Sequence, residues 1–215
     1  MQGTIVIGVA GPSGSGKTRL ATLLAEAIRA DLGEDSVGIL SEDFYYRDQS
    51  HVALAARAHV NYDHPSALDH ALLAAQLAQL VRGEAVALPQ YDYTQHTRAA
   101  HTVPMAPRRV LLVEGILLFT NDALREAMDY RVFVDTPLDI CFIRRAQRDM
   151  RERGRTFESV VAQYEATVRP MYTAFIAPSR AWADLLVPSW RDNRVAIDVL
   201  KARICEHAGV DSKRN

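Results

Sequence analysis

Cysteine, net charge and long apolar runs are all scarce in this sequence, and each shortage argues against a class of protein. Only two of the 215 residues are cysteines, Cys141 and Cys205, which are too few for a disulfide framework and lack the spacing of a metal site. The 25 Lys and Arg residues almost balance the 26 Asp and Glu residues, which gives a net charge of −1. This balance argues against a protein that binds nucleic acid or a membrane surface through a strong overall positive field.

The apolar stretch near the amino terminus is also short. It covers residues 5–10, has no Lys or Arg before it, and is too short for the core of a signal peptide or for a membrane span. We therefore expect a cytoplasmic protein with two reduced thiols, and neither a membrane nor a nucleic acid as a partner.

The composition that is present is typical of a folded globular protein. Hydrophobic residues make up 48% of the chain and charged residues 24%. No repeat, low-complexity tract or Pro/Gly/Ser-rich linker divides the sequence. We expect residues 1–215 to form a single domain.

Five short runs rich in Ile, Leu and Val indicate strands at residues 5–10, 37–40, 110–113, 130–134 and 185–187. Their apolar residues do not alternate with polar ones, which is typical of strands buried on both faces of a parallel sheet. Helical spacing of apolar residues lies between the runs, at residues 20–28, 73–81 and 197–204. The sequence therefore predicts an α/β fold with three layers around a parallel central sheet.

Local signals add detail to this fold. Ser66 with Asp69 resembles a capping box, and Thr136 before Pro137 resembles a helix N-cap with a proline in the first turn. Residues 86–103 contain prolines, tyrosines and short β-type pieces, which predict a small β insertion or flap.

The first predicted strand leads directly into a phosphate-binding motif. Residues 11–18 match Gly-x-x-x-x-Gly-Lys-Ser/Thr at every specified position, and a helical pattern follows. In such a P-loop, glycines let backbone N–H groups converge on phosphate oxygens, Lys17 reaches the β- and γ-phosphates, and the Thr18 hydroxyl ligates Mg²⁺. The predicted nucleotide contacts are Gly11, Pro12, Ser13, Gly14, Ser15, Gly16, Lys17 and Thr18. The alternative is a Gly/Ser-rich turn without a ligand.

Carboxylates follow two of the predicted strands. Glu114 ends the run at residues 110–113, at the sheet edge where open α/β sheets bind ligands, and is the candidate for the magnesium side of the site. Asp43 follows the second strand and could accept a hydroxyl proton or hold a magnesium-bound water. Glu42 is the competing choice, and a solvated loop acid is the alternative for either residue.

Two further clusters suggest an acceptor pocket. The sequence lacks the Asn-Lys-x-Asp guanine motif and the Leu-Ser-Gly-Gly-Gln transporter signature, which favours a small-molecule kinase. Asp63, in the run Asn-Tyr-Asp-His-Pro, can accept two hydrogen bonds from a vicinal diol. Residues 91–98 hold two tyrosines, a histidine and an arginine, which suit a planar base with a polar edge. Tyrosines in a β insertion can equally belong to the core or to an interface.

Residues 144–155 contain six arginines, namely Arg144, Arg145, Arg148, Arg151, Arg153 and Arg155. Four of them would form one helical stripe if the helix persists past Gly154. Such a stripe suits a lid that closes on phosphates, because guanidinium groups form bidentate pairs with them. The alternatives are a solvated helix face paired with Asp149 and Glu152, or a nucleic-acid patch.

In this order the motifs resemble the uridine kinases, also called uridine-cytidine kinases, and closely the bacterial form. Besides the P-loop, the matching segments are SEDFYYR, NYDHPSALD, YDYTQHTR, VEGILLF, FVDTPLDICFIRRAQRDMRERGR and QYEATVRPMY. The resemblance implies a P-loop kinase fold with a β-hairpin by the nucleoside and an arginine-bearing helical lid at about residues 144–168. It also implies ATP- or GTP-dependent phosphorylation of the 5′-hydroxyl of uridine and cytidine to UMP and CMP, with Mg²⁺, in a homotetramer.

The resemblance also implies roles for individual residues. Asp43 would be the general base, with Thr18 and Glu114 near the magnesium. The implied acceptor contacts are Tyr46, Tyr62, Asp63, Tyr91, Tyr93, His96, Arg145, Arg155 and Gln163. The implied donor contacts outside the P-loop motif are Arg19, Arg148, Arg153 and Asp192. Among these, Asp63 and Arg145 would hold the ribose hydroxyls, while Tyr91 and His96 would meet the pyrimidine edge, with Tyr62 and Tyr93 as aromatic walls.

Two departures from the family pattern concern specificity. After Val187-Pro188 the family commonly shows Arg-Gly, whereas residues 189–193 here read Ser-Trp-Arg-Asp-Asn, so the choice between ATP and GTP stays open. Tyr62 and Tyr93 stand where phenylalanine is frequent, and each adds a hydroxyl that needs a partner. The rival readings are a phosphoribulokinase-like or pantothenate-kinase-like enzyme, and a regulator that holds RNA on the arginine stripe without chemistry.

Overall fold

A parallel sheet lies at the centre of the computed structural model, which describes residues 3–57, 60–189 and 193–209. The strands in these residues are β1 (Ile5–Ala10), β2 (Val37–Ser41), β3 (Val86–Asp92), β4 (Thr97–Met105), β5 (Val110–Gly115), β6 (Tyr130–Asp135) and β7 (Leu185–Pro188). Five of them form the parallel sheet, in the order β2-β5-β1-β6-β7, and β3 pairs with β4 in an antiparallel hairpin. All five apolar runs of the sequence are therefore strands of one sheet, as predicted.

Helices cover both faces of the sheet. Their bounds are α1 (Lys17–Leu32), α2 (Leu54–Arg57), α3 (His70–Val81), α4 (Asp122–Glu126), α5 (Leu138–Glu152), α6 (Phe157–Gln163), α7 (Arg169–Met171), α8 (Ala177–Ser179) and α9 (Arg194–His207). Apolar side chains of α1 and α9 pack together with Ile5, Ile7 and Val9 on one face, and those of α3 pack with Val6 and Ala10 on the other. The predicted three-layer α/β architecture is confirmed. Among the described residues no helix is both long and apolar enough to cross a membrane.

The strand register brings the P-loop and the loop after β2 to the same edge of the sheet. Ala10 pairs with Gly115, and Ser41 pairs with Glu114, so the carboxyl ends of β1, β2 and β5 lie side by side. The P-loop follows β1 and Asp43 follows β2, which places both beside Glu114 at this edge.

Two helix starts differ from the sequence prediction. The prediction of a capping box that starts at Ser66 is wrong. Helix α3 begins at His70, and the Asp69 carboxylate caps it by accepting a hydrogen bond from the Leu72 N–H at 3.2 Å. Ser66 instead lies in a separate 3₁₀ turn, Pro65–Ala67. Thr136 does not cap α5 either, since its hydroxyl donates to the Ser15 carbonyl oxygen at 2.9 Å.

The arginine stripe also does not continue as one helix. Helix α5 ends at Glu152, and Gly154 adopts a left-handed φ of 62°. The segment after α6 continues through π-helical turns at Tyr164–Val168 and Tyr172–Ile176. Arg155 therefore follows a turn and approaches the other arginines from outside α5.

Both cysteines, Cys141 and Cys205, are free and buried.

Candidate active site

The P-loop is closely packed on its outer side. Gly14 and Gly16 have φ values of 83° and 96°, which favour glycine. A Cβ at Gly14 would overlap the carbonyl oxygen of Cys141, and one at Gly16 would lie 2.6 Å from the Ser189 hydroxyl oxygen. The Ser15 hydroxyl is buried without a hydrogen-bond partner. These contacts explain the glycines physically and fix the loop against α5 and the end of β7.

Glu114 joins the P-loop to β2 through its two carboxylate oxygens. Oε2 accepts a hydrogen bond from the Thr18 hydroxyl at 3.2 Å, and Oε1 accepts one from the Ser41 hydroxyl at 2.7 Å. Burial raises the pKa of Glu114 above its usual range, although the nearby Lys17 ammonium acts in the opposite direction. A hydroxyl and a buried carboxylate beside a P-loop fit a magnesium ion, which takes oxygen ligands and binds together with phosphates.

The structure separates the two competing acids after β2. Glu42 is fully buried, with Oε1 2.8 Å from His70 Nε2, while Oε2 accepts from the Leu117 N–H at 2.9 Å. Asp43 is only partly buried, and its Oδ2 accepts a hydrogen bond from the Tyr93 hydroxyl at 3.0 Å. Glu42 is therefore a hydrogen-bonded residue of the core, and Asp43 is the acid at the edge of the site.

The residues expected to hold a ribose lie together. Asp63 Oδ1 is 3.8 Å from Arg145 Nη1, and both side chains are buried. Arg145 also donates to the Gln163 side-chain oxygen at 3.2 Å, and Arg155 donates to the same oxygen. Burial raises the pKa of Asp63, with Arg145 opposing the shift. A small pocket beside Asp63 is lined also by Pro12 and Ser13 of the P-loop and by apolar side chains of α5 and of the segment after α6.

Aromatic rings of the hairpin and of the two loops before it form one cluster. The ring centroids of Tyr46 and Tyr91 are 4.9 Å apart, and those of Tyr62 and His96 are 5.8 Å apart and stacked. The Tyr91 hydroxyl is buried in this cluster without a hydrogen-bond partner. The Tyr62 hydroxyl donates to the carbonyl oxygens of Arg57 and His96, at 3.1 and 3.3 Å.

Asp149 is the centre of the arginine group, whereas the sequence suggested for it only a pairing role on a solvated helix face. Its side chain is fully buried, and four arginines among the described residues lie within ion-pair distance of it, namely Arg145, Arg148, Arg153 and Arg155, at 3.5, 2.9, 3.5 and 3.9 Å. A sequence signal did exist, because Asp149 stands four residues after Arg145 and four before Arg153. Its complete burial could not be read from that spacing.

Three other residues named in the sequence analysis, Arg144, Arg19 and Asp192, do not belong to the group around Asp149 in the described structure. Arg144 donates to the carbonyl oxygens of Ser15 and Ser189, at 3.3 and 2.9 Å, and so ties the P-loop to the segment after β7. Arg19 is exposed in the first turn of α1. The predicted donor-base contact, Asp192, lies outside the described residues.

Comparison with known proteins identifies the family. Residues 6–196 match the model of the Phosphoribulokinase / Uridine kinase family. The chain belongs to this family. It is 54% identical over 200 residues to the uridine kinase of Aeromonas hydrophila, covering 93% of this chain and 94% of that protein. It is likewise 54% identical over 203 residues to the uridine kinase of Shewanella frigidimarina, covering 94% and 96%. The resemblance stated from the motifs is thus confirmed, and the chain is a kinase with a nucleotide as phosphate donor.

Two solved structures show a similar fold. A putative fructose transport system kinase from Silicibacter matches with a TM-score of 0.67 at 23% identity, over 86% of this chain and 90% of that chain. A possible uridine kinase from Bacillus stearothermophilus matches with a TM-score of 0.53 at 24% identity, over 86% and 89%. At these identities the similarity concerns the fold alone.

Proposed function

We propose that the protein transfers a phosphoryl group from ATP or GTP to the 5′-hydroxyl of uridine and cytidine, with Mg²⁺ bound beside the P-loop. The observation that carries this proposal is the 3.0 Å hydrogen bond between Tyr93 and Asp43, because it joins the aromatic cluster to the acid at the edge of the phosphate site. Relatives named uridine kinase, at 54% identity over more than nine-tenths of this chain, support the same assignment.

Acceptor recognition follows from the chemistry of the cluster. The Asp63 carboxylate can accept hydrogen bonds from the two ribose hydroxyls while Arg145 donates to them. The unpartnered Tyr91 hydroxyl can meet the polar edge of the base. His96 can donate to the O4 of uridine or accept from the N4 amine of cytidine by changing tautomer, so one pocket serves both nucleosides.

Phosphoryl transfer then depends mainly on position and charge. Asp43 accepts the proton of the 5′-hydroxyl, and Lys17, Arg148 and Arg153 hold the donor phosphates. When bound by Thr18 and Glu114, magnesium would neutralise charge on those phosphates. Because the transition state for this transfer is loose, alignment and charge neutralisation outweigh the strength of the base.

The remaining expectations form part of the same proposal. We propose one domain for residues 1–215, a cytoplasmic location, a homotetramer and no nucleic-acid or membrane partner. The net charge of −1 supports the last point.

An acceptor and donor screen tests the function. Purified protein is assayed with uridine, cytidine, adenosine, pantothenate and ribulose 5-phosphate, each with ATP and with GTP. We expect turnover with the two pyrimidine nucleosides only. Turnover with ribulose 5-phosphate or pantothenate instead would favour the rival kinases. Salt-sensitive RNA binding with no phosphoryl transfer would favour a regulator.

A further inference from the structure

Tyr93 contacts three parts of the site at once. Its hydroxyl donates to Asp43 Oδ2 at 3.0 Å, and its ring centroid lies 5.2 Å from that of Tyr91. The guanidinium carbon of Arg153 lies 5.0 Å from the same ring. Tyr93 therefore joins the acid of the phosphate site, the aromatic cluster and the arginine group.

We propose that Tyr93 is a positioning residue, whose hydroxyl orients the Asp43 carboxylate toward the acceptor hydroxyl and links occupancy of the base pocket to turnover. The proposal rests on the proposed function, since it assigns Tyr93 a part in the same site. It goes beyond the family resemblance, because the ring at this position is frequently phenylalanine and the hydroxyl is then missing.

The geometry explains why the hydroxyl matters. Asp43 lies on a short 3₁₀ turn, Glu42–Tyr45, and its side chain is not enclosed by the core. A carboxylate in such a place can adopt several rotamers, and a donor fixed on a neighbouring element selects one of them. With Oδ2 occupied by the Tyr93 hydroxyl, Oδ1 is left for the proton of the acceptor.

Tyr62 shows that an added hydroxyl need not act in this way. Its hydroxyl also stands where phenylalanine is frequent, but it donates to the backbone oxygens of Arg57 and His96. That hydroxyl holds the tip of the hairpin, whereas the Tyr93 hydroxyl reaches a carboxylate assigned to chemistry. The two hydroxyls therefore have different roles.

The Arg153 contact adds a second link. A guanidinium near a tyrosine ring is attracted by the face of the ring, and this attraction does not need the hydroxyl. Tyr93→Phe thus removes the bond to Asp43 and keeps both the aromatic wall and the Arg153 contact. The substitution separates orientation of the acid from formation of the pocket.

The test is steady-state kinetics of Tyr93→Phe with uridine as the varied substrate. Because a hydrogen bond to a charged group is lost while the ring stays, we expect kcat to fall about tenfold and KM for uridine to change less than about threefold. Tyr130→Phe is the matched control, since it removes a hydroxyl that hydrogen-bonds His207 at 3.0 Å, outside the site. We expect this control to keep the kinetics of the parent.

A second background shows whether the hydroxyl acts through Asp43. In Asp43→Ala, where the partner is gone, adding Tyr93→Phe should leave the residual rate unchanged in a radiolabelled assay. The proposal is overturned if Tyr93→Phe keeps kcat within about twofold of the parent, or if it lowers the rate equally in both backgrounds. A parent protein without turnover on pyrimidine nucleosides would contradict the proposed function and this inference together. An active parent with an unaffected Tyr93→Phe variant would contradict the inference alone.

Discussion

Glu42 and Asp43 are neighbours in the chain, but their surroundings predict different effects when the carboxylate is replaced by an amide: a loss of activity at Asp43 and a loss of stability at Glu42. For Asp43→Asn we expect a folded protein that still binds nucleoside and loses more than about 100-fold in kcat, because the acceptor proton loses its receiver. For Glu42→Gln we expect normal chemistry and a loss of about 1–3 kcal/mol in the free energy of unfolding, because a buried hydrogen bond to His70 is weakened. Steady-state kinetics and urea unfolding of both variants check the pair. Turnover like that of the parent in Asp43→Asn would remove Asp43 from the mechanism.

Glu114 is a buried carboxylate held for a ligand, and its stability effect has a definite sign. Burial raises the pKa of Glu114, so the folded state binds its proton more tightly than the unfolded state does. The ligand-free protein should therefore lose stability as the pH rises through this raised pKa, and regain it on mild acidification. We expect Glu114→Gln to reduce that pH dependence, with buried Asp63 still contributing in the same direction, to be at least as stable as the parent at neutral pH, and to have a strongly reduced kcat.

Thermal unfolding of ligand-free protein at neutral and mildly acidic pH measures this effect. Glu126→Gln, at an exposed position of α4, controls for the loss of one negative charge. A Glu114→Gln variant less stable than the parent at neutral pH would show that the ionised carboxylate contributes more through its hydrogen bonds than burial costs.

The sequence alone could not predict which of Glu42 and Asp43 is buried and which faces the site. The motif placed both acids after β2, and the strand prediction correctly brought them to the ligand edge of the sheet. Which acid turns inward depends on His70 and on the Leu117 N–H, which lie 28 and 75 residues away along the chain. Such partners are set by tertiary packing, which a local pattern does not contain.

Among the elements, the strands were predictable from the sequence, and the shape of the arginine-bearing segment was predictable only in part. Strands buried on both faces have an uninterrupted apolar pattern, which the five runs show directly. The end of α5 depends on the turn at Gly154 and on hydrogen bonds from the N–H groups of Arg153 and Arg155 to the Asp149 carbonyl oxygen, at 3.3 and 3.2 Å. These bonds bring Arg155 back toward α5 although the helix has ended.

Asp149 should therefore control the whole arginine group. In Asp149→Asn the four surrounding guanidiniums lose their shared negative partner, and their repulsion is no longer offset. We expect kcat/KM to fall more than about tenfold for both nucleoside and nucleotide, because arginines assigned to both substrates meet at this carboxylate. Kinetics with each substrate varied in turn measure the effect.

The matched control for Asp149 is Glu152→Gln, since Glu152 lies on the same helix and is exposed. Circular dichroism shows whether the helices are kept. An Asp149→Asn variant with the kinetics of the parent would mean that the arginines are positioned without this carboxylate.

At the scale of the whole molecule, a net charge of −1 conceals a separation of charge in space. The acids Asp43 and Glu114 lie at the carboxyl edge of the sheet, while the arginine group lies on α5 and the turn that follows it. Parallel strand order explains the first group, because it brings residues some 70 positions apart to one edge. The composition alone does not show this separation, because it gives only the sum of the charges.

The same separation predicts that the two substrates bind cooperatively. Arg145 faces the acceptor carboxylate Asp63, Arg148 is assigned to the donor, and both contact Asp149. Ordering of one set of arginines by its substrate should therefore lower the cost of ordering the other. We expect a non-hydrolysable ATP analogue with Mg²⁺ to tighten uridine binding at least about fivefold, and uridine to tighten binding of the analogue by the same factor.

Isothermal titration calorimetry in both orders measures the coupling, and Asp149→Asn should reduce it. Equal uridine affinities with and without the analogue would show that the arginine group holds each substrate independently.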